Sequence, residues 1–221
     1  MKQEIFSQIN NLGNELVKCS LNCSGIDNLK REGKIPRCIN LEFEHRNPNG
    51  QGVIIAGMNP GKAQKKEMRI YIENDGSYES HKNFMKEYIL KNGKNRYHDE
   101  IREIVNILGF DGLILWSEIV KCQSQKGVKQ LDVQTIRNCV HRFFKKEIEL
   151  FKGFPILAIG NESFRTCSLL FPDRQIIGIE HPSGANRSYT RFKKKLLENI
   201  EQIKIKLNNL EKTKAIHLND L

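Results

Sequence analysis

The residues with the clearest potential for chemistry lie in two short polar loops. Residues 57–61 read Gly-Met-Asn-Pro-Gly, and residues 180–187 read Glu-His-Pro-Ser-Gly-Ala-Asn-Arg. The amide of Asn59 can both donate and accept hydrogen bonds, and the imidazole of His181 can donate one. Each loop taken alone is also consistent with an ordinary turn, because Gly, Asn, Pro and Ser are common in turns.

Cysteines form the second group of residues that could do chemistry. The chain has six of them: Cys19, Cys23, Cys38, Cys122, Cys139 and Cys167. In a chain without an apolar leader segment, this number favours a metal site or an iron-sulfur cluster over disulfides, with buried thiols as the alternative. Cys167 lies in a helical pattern between Phe164 and Leu170 and is expected to pack as a small apolar side chain.

The apolar pattern predicts the elements that must position these residues. Strand-sized apolar runs occur at residues 52–57, 113–116, 155–160 and 175–179. Helical patterns alternate with them at about 79–91, 98–108, 133–150 and 161–170. This alternation predicts an α/β fold with an open, mainly parallel sheet covered by helices on both faces. In such a sheet, ligands bind beyond the carboxyl ends of the strands, where both polar loops begin.

We expect one α/β domain over residues 1–221. Residues 1–50 would form an N-terminal helix and an irregular segment that carries cysteines. Residues 51–190 would form the sheet core, and residues 191–221 a basic C-terminal helix and tail.

The charge balance indicates the kind of partner. With 36 Lys and Arg against 26 Asp and Glu, the formal charge is +10, which favours nucleic acid. No apolar stretch approaches the roughly 20 residues of a membrane helix, and no continuous apolar segment begins the chain. We therefore expect a cytoplasmic monomer that does not associate with membranes. The sequence also lacks the Gly-x-Ser-x-Gly, Walker and paired-His motifs of other enzyme classes.

Taken together, and in this order after these strands, the two loops resemble the two signature motifs of the uracil-DNA glycosylase superfamily. The first loop resembles the first motif of the single-strand-selective and mismatch-specific branches, whose active-site residue is the Asn, here Asn59. Residues 181–183, His-Pro-Ser, resemble the second motif, whose His contacts the base. The resemblance spans roughly residues 53–187 and implies both the fold and the class of reaction.

The resemblance implies a DNA glycosylase that hydrolyses the N-glycosidic bond of uracil or a related damaged base flipped out of the stack. Asn59 would hold the attacking water, and neutral His181 would donate a hydrogen bond to the carbonyl oxygen where charge accumulates. Gly57, Met58 and Ser183 would bind the base.

The cysteine pattern resembles the iron-sulfur branches of the same superfamily. There, a cysteine in a Val-Lys-Cys sequence, here Cys122, and one on the following helix, here Cys139, join two N-terminal cysteines around a 4Fe-4S cluster. Cys19 and Cys23 are the natural N-terminal pair, although three residues separate them where those branches usually have two. Cys38 is a competing ligand, and structural zinc is an alternative to the cluster.

Two more residues follow from the same comparison. Tyr78 lies where the family has an aromatic that stacks on the base, with Tyr71 as second choice, and either could be a core residue. Glu118 lies where the iron-sulfur branches have an Asn that donates to one uracil carbonyl and accepts from the ring N–H. An ionised carboxylate cannot donate. Either Glu118 is protonated, or Ser117 takes its place, or the preferred base presents donors.

Basic residues after the second motif would bind DNA. Arg187, Arg191 and Lys193 could contact phosphates, and Asn186 or Arg187 could enter the minor groove as a wedge. A solvated helix face is the alternative. The second candidate function for the whole chain is a non-catalytic iron-sulfur protein of the same fold that binds nucleic acid.

Overall fold

The fold is described from a computed structural model that covers residues 2–44, 46–74, 76–91, 93, 95–128, 130–182, 187–209 and 214–220. Its helices are α1 (Lys2–Val17), α2 (Lys65–Glu73), α3 (Tyr78–Phe84), α4 (Arg96–Ile107), α5 (Val133–Cys139), α6 (Lys145–Leu150), α7 (Asn161–Leu170), α8 (Arg187–Glu198) and α9 (Ile200–Asn209). Its strands are β1 (Ile26–Asp27), β2 (Asn40–Glu42), β3 (Val53–Gly57), β4 (Ile114–Glu118), β5 (Gln123–Ser124), β6 (Ile156–Ile159), β7 (Ile176–Ile179) and β8 (Ala215–His217).

The main sheet of the described chain has six strands in the order β2-β4-β3-β6-β7-β8. Strands β3, β6, β7 and β8 pair in parallel, with Ile54 opposite Ile156 and Ile156 opposite Ile176. Every residue of β3, β6 and β7 is buried. Continuous apolar strands of this kind suit a parallel sheet that helices cover. The predicted fold class, a mostly parallel sheet flanked by helices, is thus confirmed.

The predicted helices are found, with local differences. The helix predicted over 133–150 consists of α5 and α6 joined by a π-helical segment, Val140–Phe144, and a second π-helical segment, Met85–Ile89, extends α3. The predicted C-terminal helix is divided into α8 and α9. No helix in the described ranges is long and apolar enough to cross a membrane.

The contacts divide the chain into two compact units, each built from three segments. The first unit comprises Met1–Asn40, Asn59–Ile89 and Ser117–Lys152, and the second comprises Leu41–Met58, Leu90–Trp116 and Gly153–Leu221. The core of the second unit packs strand residues such as Ile55 and Ile177 with Ile104 of α4 and Phe192 of α8. The first unit contains the β1–β5 pair. The single domain over 1–221 stays a prediction.

A buried ion pair lies in the first unit. Lys121 Nζ contacts Glu147 Oε2, and these side chains are 0% and 2% exposed. Ser117 joins both groups, because its Oγ donates to Glu147 Oε2 over 2.6 Å and accepts from Lys121 Nζ over 2.9 Å. Two charges removed from water in this way depend on each other, since either one alone would lie unpaired in the interior.

We expect Glu147→Leu to lower the free energy of unfolding by about 3–5 kcal/mol, because it leaves the Lys121 ammonium buried without a counter-charge. Urea denaturation followed by circular dichroism measures the change. The double variant Lys121→Met with Glu147→Leu should recover most of the loss. Lys146→Ala, which removes an exposed partner of Glu15, should cost less than about 1 kcal/mol. Equal effects of Glu147→Leu and Lys146→Ala would contradict this account of the buried pair.

Candidate active site

The loop after β3 presents the Asn59 side chain in a defined orientation. Asn59 lies two residues beyond Gly57, the last residue of β3, and is half-buried. Its Nδ2 donates to Ser124 Oγ over 2.9 Å and to the carbonyl oxygen of Pro60 over 3.3 Å. Both bonds use the amide nitrogen. Since no residue in the described ranges donates to Oδ1, this oxygen can accept a hydrogen bond from water or a ligand.

An arginine holds the same loop two residues further on. Arg37 Nη1 donates to the carbonyl oxygen of Gly61 over 2.7 Å. The guanidinium is itself fixed by Glu67, to which Nε and Nη2 donate over 2.6 and 2.8 Å. Bidentate arginine–carboxylate pairs fix geometry as well as charge. The Gly61 carbonyl is therefore attached to a rigid partner.

The short β1–β5 pair supplies the other contacts to this loop. β5 pairs antiparallel with β1, so that Ile26 lies opposite Ser124. Gln123 Oε1 accepts from the backbone N–H of Ala63 over 2.6 Å, and its Nε2 donates to Asp27 Oδ2 over 3.3 Å. The contacts of Gln123 and Ser124 were not predicted from the sequence, because these two residues belong to no recognised motif. The one available signal was that they directly follow a cysteine.

In the second unit, His181 follows β7 by two residues. Its ring lies 5.3 Å from the ring of Tyr97, measured between centroids, and its Cβ lies beside Gly160. The His181 side chain is exposed, and the desolvation that its surroundings still cause lowers its pKa, an effect that the nearby Glu180 carboxylate opposes. A neutral imidazole is favoured as a result, and it can donate from one nitrogen and accept at the other.

The rest of the second motif is described only in part. Ser183 and Asn186, predicted to bind the base and the DNA, lie outside the described residues. Arg187 begins α8, but its side chain is not described. Arg191 is one turn further along α8 and is exposed. Of the predicted DNA-binding residues, Arg191 thus has the accessibility that a phosphate contact requires.

Lys193 is paired within the protein. Its Nζ donates to Glu100 Oε2 over 3.0 Å and to Glu103 Oε2 over 2.6 Å, and the side chain is 24% exposed. A phosphate contact by Lys193 would have to compete with two carboxylates of α4, and it stays a prediction. Sequence analysis treated the basic run on α8 as one surface, because the acidic residues facing part of it lie about 90 positions earlier.

Tyr78, predicted to stack on the base, lies in the core of the first unit. The side chain is 3% exposed, and its hydroxyl donates to the carbonyl oxygen of Ile39 over 3.5 Å. A Cβ placed on Gly13 would lie 2.5 Å from the ring, so the helix backbone packs directly against it. Tyr71, the second choice, is also buried. These contacts favour the core alternative for both tyrosines.

Glu118 ends β4 with a carboxyl oxygen buried and unpaired. Its Oε2 finds no hydrogen-bond partner among the described residues. Burial raises the pKa of Glu118 to about 7, an effect that the positive charges of Lys121 and Arg37 reduce and the negative charge of Glu147 increases. The alternative that Ser117 takes this position is disfavoured, because its hydroxyl is already bound by Glu147 and Lys121.

The four predicted cluster ligands lie on three segments of the first unit. Cys19 and Cys23 are half-buried in the segment between α1 and β1, whereas Cys122, before β5, and Cys139, at the end of α5, are buried. The pKa of Cys122 is raised, first by burial and then by the charges of the other three thiolates, as expected if the sulfurs lie near one another.

Four thiolates suit either a 4Fe-4S cluster or a structural zinc ion. In the described residues, no group of three or more Cys, His, Asp or Glu side chains is arranged to hold a metal ion. The choice between a cluster and zinc therefore stays a prediction.

The other two cysteines are placed differently. Cys38 Sγ donates to the carbonyl oxygen of Gly13 at 3.5 Å, and burial raises the pKa of this thiol. The choice between Cys38 and the pair Cys19 and Cys23 as ligands stays a prediction. Cys167 is fully buried in α7, and the prediction that it packs as a small apolar side chain is confirmed.

Comparison with protein families gives one match. The model of the uracil DNA glycosylase superfamily matches residues 43–203, which is most of the chain and includes both motif loops. A search of curated proteins finds no match.

The raised pKa of Glu118 predicts a pH-dependent stability. The folded protein keeps this proton up to about pH 7, whereas the unfolded chain loses it near the ordinary value of 4.5. The free energy of unfolding should therefore fall as the pH rises from 4.5 to about 7. The side chain of the Glu118→Gln variant stays neutral at all these pH values. Its free energy of unfolding relative to that of the parent should therefore rise across that window, by roughly 3 kcal/mol at most, and remain constant above it.

Urea denaturation at a series of pH values measures this difference. The exposed Asn49→Ala variant is the control, and because the Asn49 side chain does not titrate, its difference from the parent should not change across the same window. An equal difference between Glu118→Gln and the parent at pH values below and above the window would show that Glu118 has the same pKa in the folded and the unfolded chain, and would contradict the raised pKa.

Proposed function

The chain belongs to the uracil DNA glycosylase superfamily, and on this basis we propose that it is a monofunctional DNA glycosylase. It would hydrolyse the N-glycosidic bond of uracil or a related damaged base in DNA, the first step of base excision repair. The observation that carries the proposal is the orientation of Asn59. Its amide nitrogen is bound by Ser124 and Pro60, which leaves Oδ1 to accept a hydrogen bond from the attacking water.

The proposed reaction breaks the bond between C1′ of the deoxyribose and the base nitrogen. The bonding electrons leave with the base as an anion, the sugar becomes cationic, and the water oxygen adds to C1′ while the water releases a proton to solvent, from which the departed base anion is protonated. Asn59 Oδ1 would orient this water without taking the proton, because an amide is too weak a base. His181, neutral in its environment, would donate to the base carbonyl oxygen where negative charge accumulates.

DNA binding is supported by charge and by the position of α8. The chain carries a net charge of +10, and Arg191 on α8 is exposed. Arginines at such positions contact phosphates and position the protein without reading sequence. Gly57 and Met58 would bind the base from the loop after β3. The roles of Ser183, Asn186 and Arg187 in binding the base and wedging the duplex continue to rest on the sequence resemblance.

The choice of base depends on the protonation of Glu118. A neutral carboxyl group offers one donor and one acceptor, as an amide does, and would match the carbonyl and ring N–H of uracil. An ionised carboxylate offers acceptors alone and would select a base that presents donors. With its pKa near 7 and its Oε2 unpaired, Glu118 can supply either pattern near neutral pH.

Catalysis is tested by replacing Asn59 and His181 separately. We expect Asn59→Ala to lose water positioning and His181→Ala to lose the hydrogen bond to the leaving base, each lowering the rate about 100-fold. The measurement is single-turnover excision from oligonucleotides that contain uracil, hypoxanthine or xanthine, read as alkali-labile sites. Binding to the uncleaved oligonucleotide should stay close to that of the parent.

Asn49→Ala and His141→Ala are matched controls, because both side chains are exposed and neither belongs to a motif loop. They should cleave as fast as the parent. Parent-like rates for Asn59→Ala and His181→Ala would show that the site is assigned wrongly. If the parent excises no base but still binds the oligonucleotides, the non-catalytic iron-sulfur protein that binds nucleic acid is the better account.

We also propose that Cys19, Cys23, Cys122 and Cys139 hold a 4Fe-4S cluster. The support is the resemblance of the cysteine pattern to the iron-sulfur branches, together with the position of all four thiols in one unit, where the charges of the other three help to raise the pKa of Cys122. When bound, such a group supplies covalent cross-links between the segments that carry its ligands. This would join the segment before β1 to the segment before β5, and both to α5.

The protein purified in air should be brown, with broad absorbance near about 400 nm and about four irons per chain. We expect Cys122→Ala to lose the colour and the iron, because the cluster loses a buried ligand. Cys167→Ala, a change at a buried thiol outside the proposed set, should retain both. A colourless parent protein with one zinc per chain would replace the cluster with structural zinc.

A further inference from the structure

We propose that Ser124 is a positioning residue, whose hydroxyl orients the Asn59 amide so that Oδ1 faces the attacking water. This inference rests on the proposed function, because it assigns Ser124 a role through Asn59. Ser124 Oγ accepts from Asn59 Nδ2 over 2.9 Å. Both residues belong to the first unit.

The orientation of the amide decides whether it helps or hinders the water. A water molecule attacks through a lone pair on its oxygen. An amide oxygen binds the water through one of its hydrogens and leaves that lone pair free. An amide nitrogen donates to the lone pair and so competes with the reaction. A rotation of the Asn59 amide by half a turn would therefore convert a useful contact into an inhibitory one.

Ser124 alone could accept either orientation, because a hydroxyl both donates and accepts. The carbonyl oxygen of Pro60 resolves the ambiguity. It accepts from Asn59 Nδ2 over 3.3 Å and has no proton to donate. In the rotated amide, Oδ1 would face this carbonyl oxygen, and two acceptors would lie against each other. Ser124 and Pro60 together thus select one of the two orientations, with Ser124 making the shorter bond.

The position of the Ser124 hydroxyl is itself fixed by its strand. Ser124 pairs with Ile26 in the β1–β5 register. Its neighbour Gln123 is buried and binds both the backbone of Ala63 and the carboxylate of Asp27. The strand that carries the hydroxyl is therefore attached to the loop that carries the amide at a second point. Such support is what distinguishes a positioned contact from an incidental surface bond.

The proposal is tested with Ser124→Ala, Ser124→Thr and the control Ser168→Ala. Ser168 also has a bonded hydroxyl, which donates to the carbonyl oxygen of Phe164. We expect Ser124→Ala to lower the single-turnover excision rate by roughly 2- to 13-fold, the range for one hydrogen bond, with unchanged affinity for uncleaved DNA. Ser124→Thr, which keeps the hydroxyl, and Ser168→Ala should cleave as fast as the parent.

A double-mutant cycle separates this role from an independent one. In the Asn59→Ala background, Ser124→Ala should cause no further loss of rate, because Ser124 acts through the Asn59 amide. Equal losses in both backgrounds would overturn the proposal. A parent-like rate for Ser124→Ala, together with a slow Asn59→Ala, would also overturn the proposal about Ser124. The proposed function would still stand in that case. A parent-like rate for Asn59→Ala would instead overturn the proposed function, and this inference with it.

Side-chain amide NMR gives a readout that does not depend on activity. In protein labelled with ¹⁵N-asparagine, the Asn59 signals, identified by their absence from Asn59→Ala, should shift in Ser124→Ala. Their hydrogens should also exchange faster with solvent. The signals should be unchanged in Ser124→Thr and Ser168→Ala. Unchanged Asn59 signals in Ser124→Ala would show that the hydroxyl does not orient the amide and would overturn the proposal.

Discussion

The bidentate pair between Arg37 and Glu67 connects the elements around the Asn59 loop. Glu67 is 2% exposed, and it accepts two hydrogen bonds from Arg37 and one from the backbone of Gln64, where α2 begins. Arg37 also binds the Gly61 carbonyl through its side chain and the Lys121 carbonyl through its backbone N–H. A buried carboxylate without this guanidinium would be very unfavourable. Arg37 therefore binds three elements: the Asn59 loop, α2 and the segment before Cys122.

The Glu67 carboxylate is the first group in a chain of hydrogen bonds that continues through Tyr71 and His81 to Asn40. The groups beyond Glu67 in this chain are uncharged. Tyr71 donates to Glu67 over 3.3 Å, and its hydroxyl lies 2.7 Å from His81 Nδ1. The other ring nitrogen of His81 lies 2.9 Å from the amide nitrogen of Asn40. Complete burial lowers the pKa of His81 to about 3, so the imidazole is neutral. Buried polar groups that are paired in this way specify one arrangement of the core. Tyr71 and the neighbouring Tyr78 are part of that arrangement, which explains why neither is open to a base.

The comparison of sequence and structure shows which features are encoded locally. The strands β3, β6 and β7 are continuous runs of apolar residues, so their burial is visible in the sequence. β8 is not, because Ala215–His217 is short and acquires its strand geometry from pairing with β7. Asn59 and His181 could be named from the sequence because they belong to spaced motifs, and their catalytic roles stay predictions. The partners of Lys193 and the hydrogen bond between Ser124 and Asn59 could not be named, since each depends on residues distant in sequence that only the fold brings together.

The interleaving of the two units has a consequence for biosynthesis. Each unit is assembled from three stretches of chain separated by stretches of the other, and the first needs residues as late as Lys152. The second needs β8 at Ala215–His217 to complete the edge of its sheet beside β7. A nascent chain emerging from the ribosome therefore cannot close either unit early, and contacts of such long sequence separation form slowly. Strand β3 lies between β4 and β6 in the sheet, and its partner β6 is made about a hundred residues later, a period in which a chaperone that shields exposed strands would have most effect.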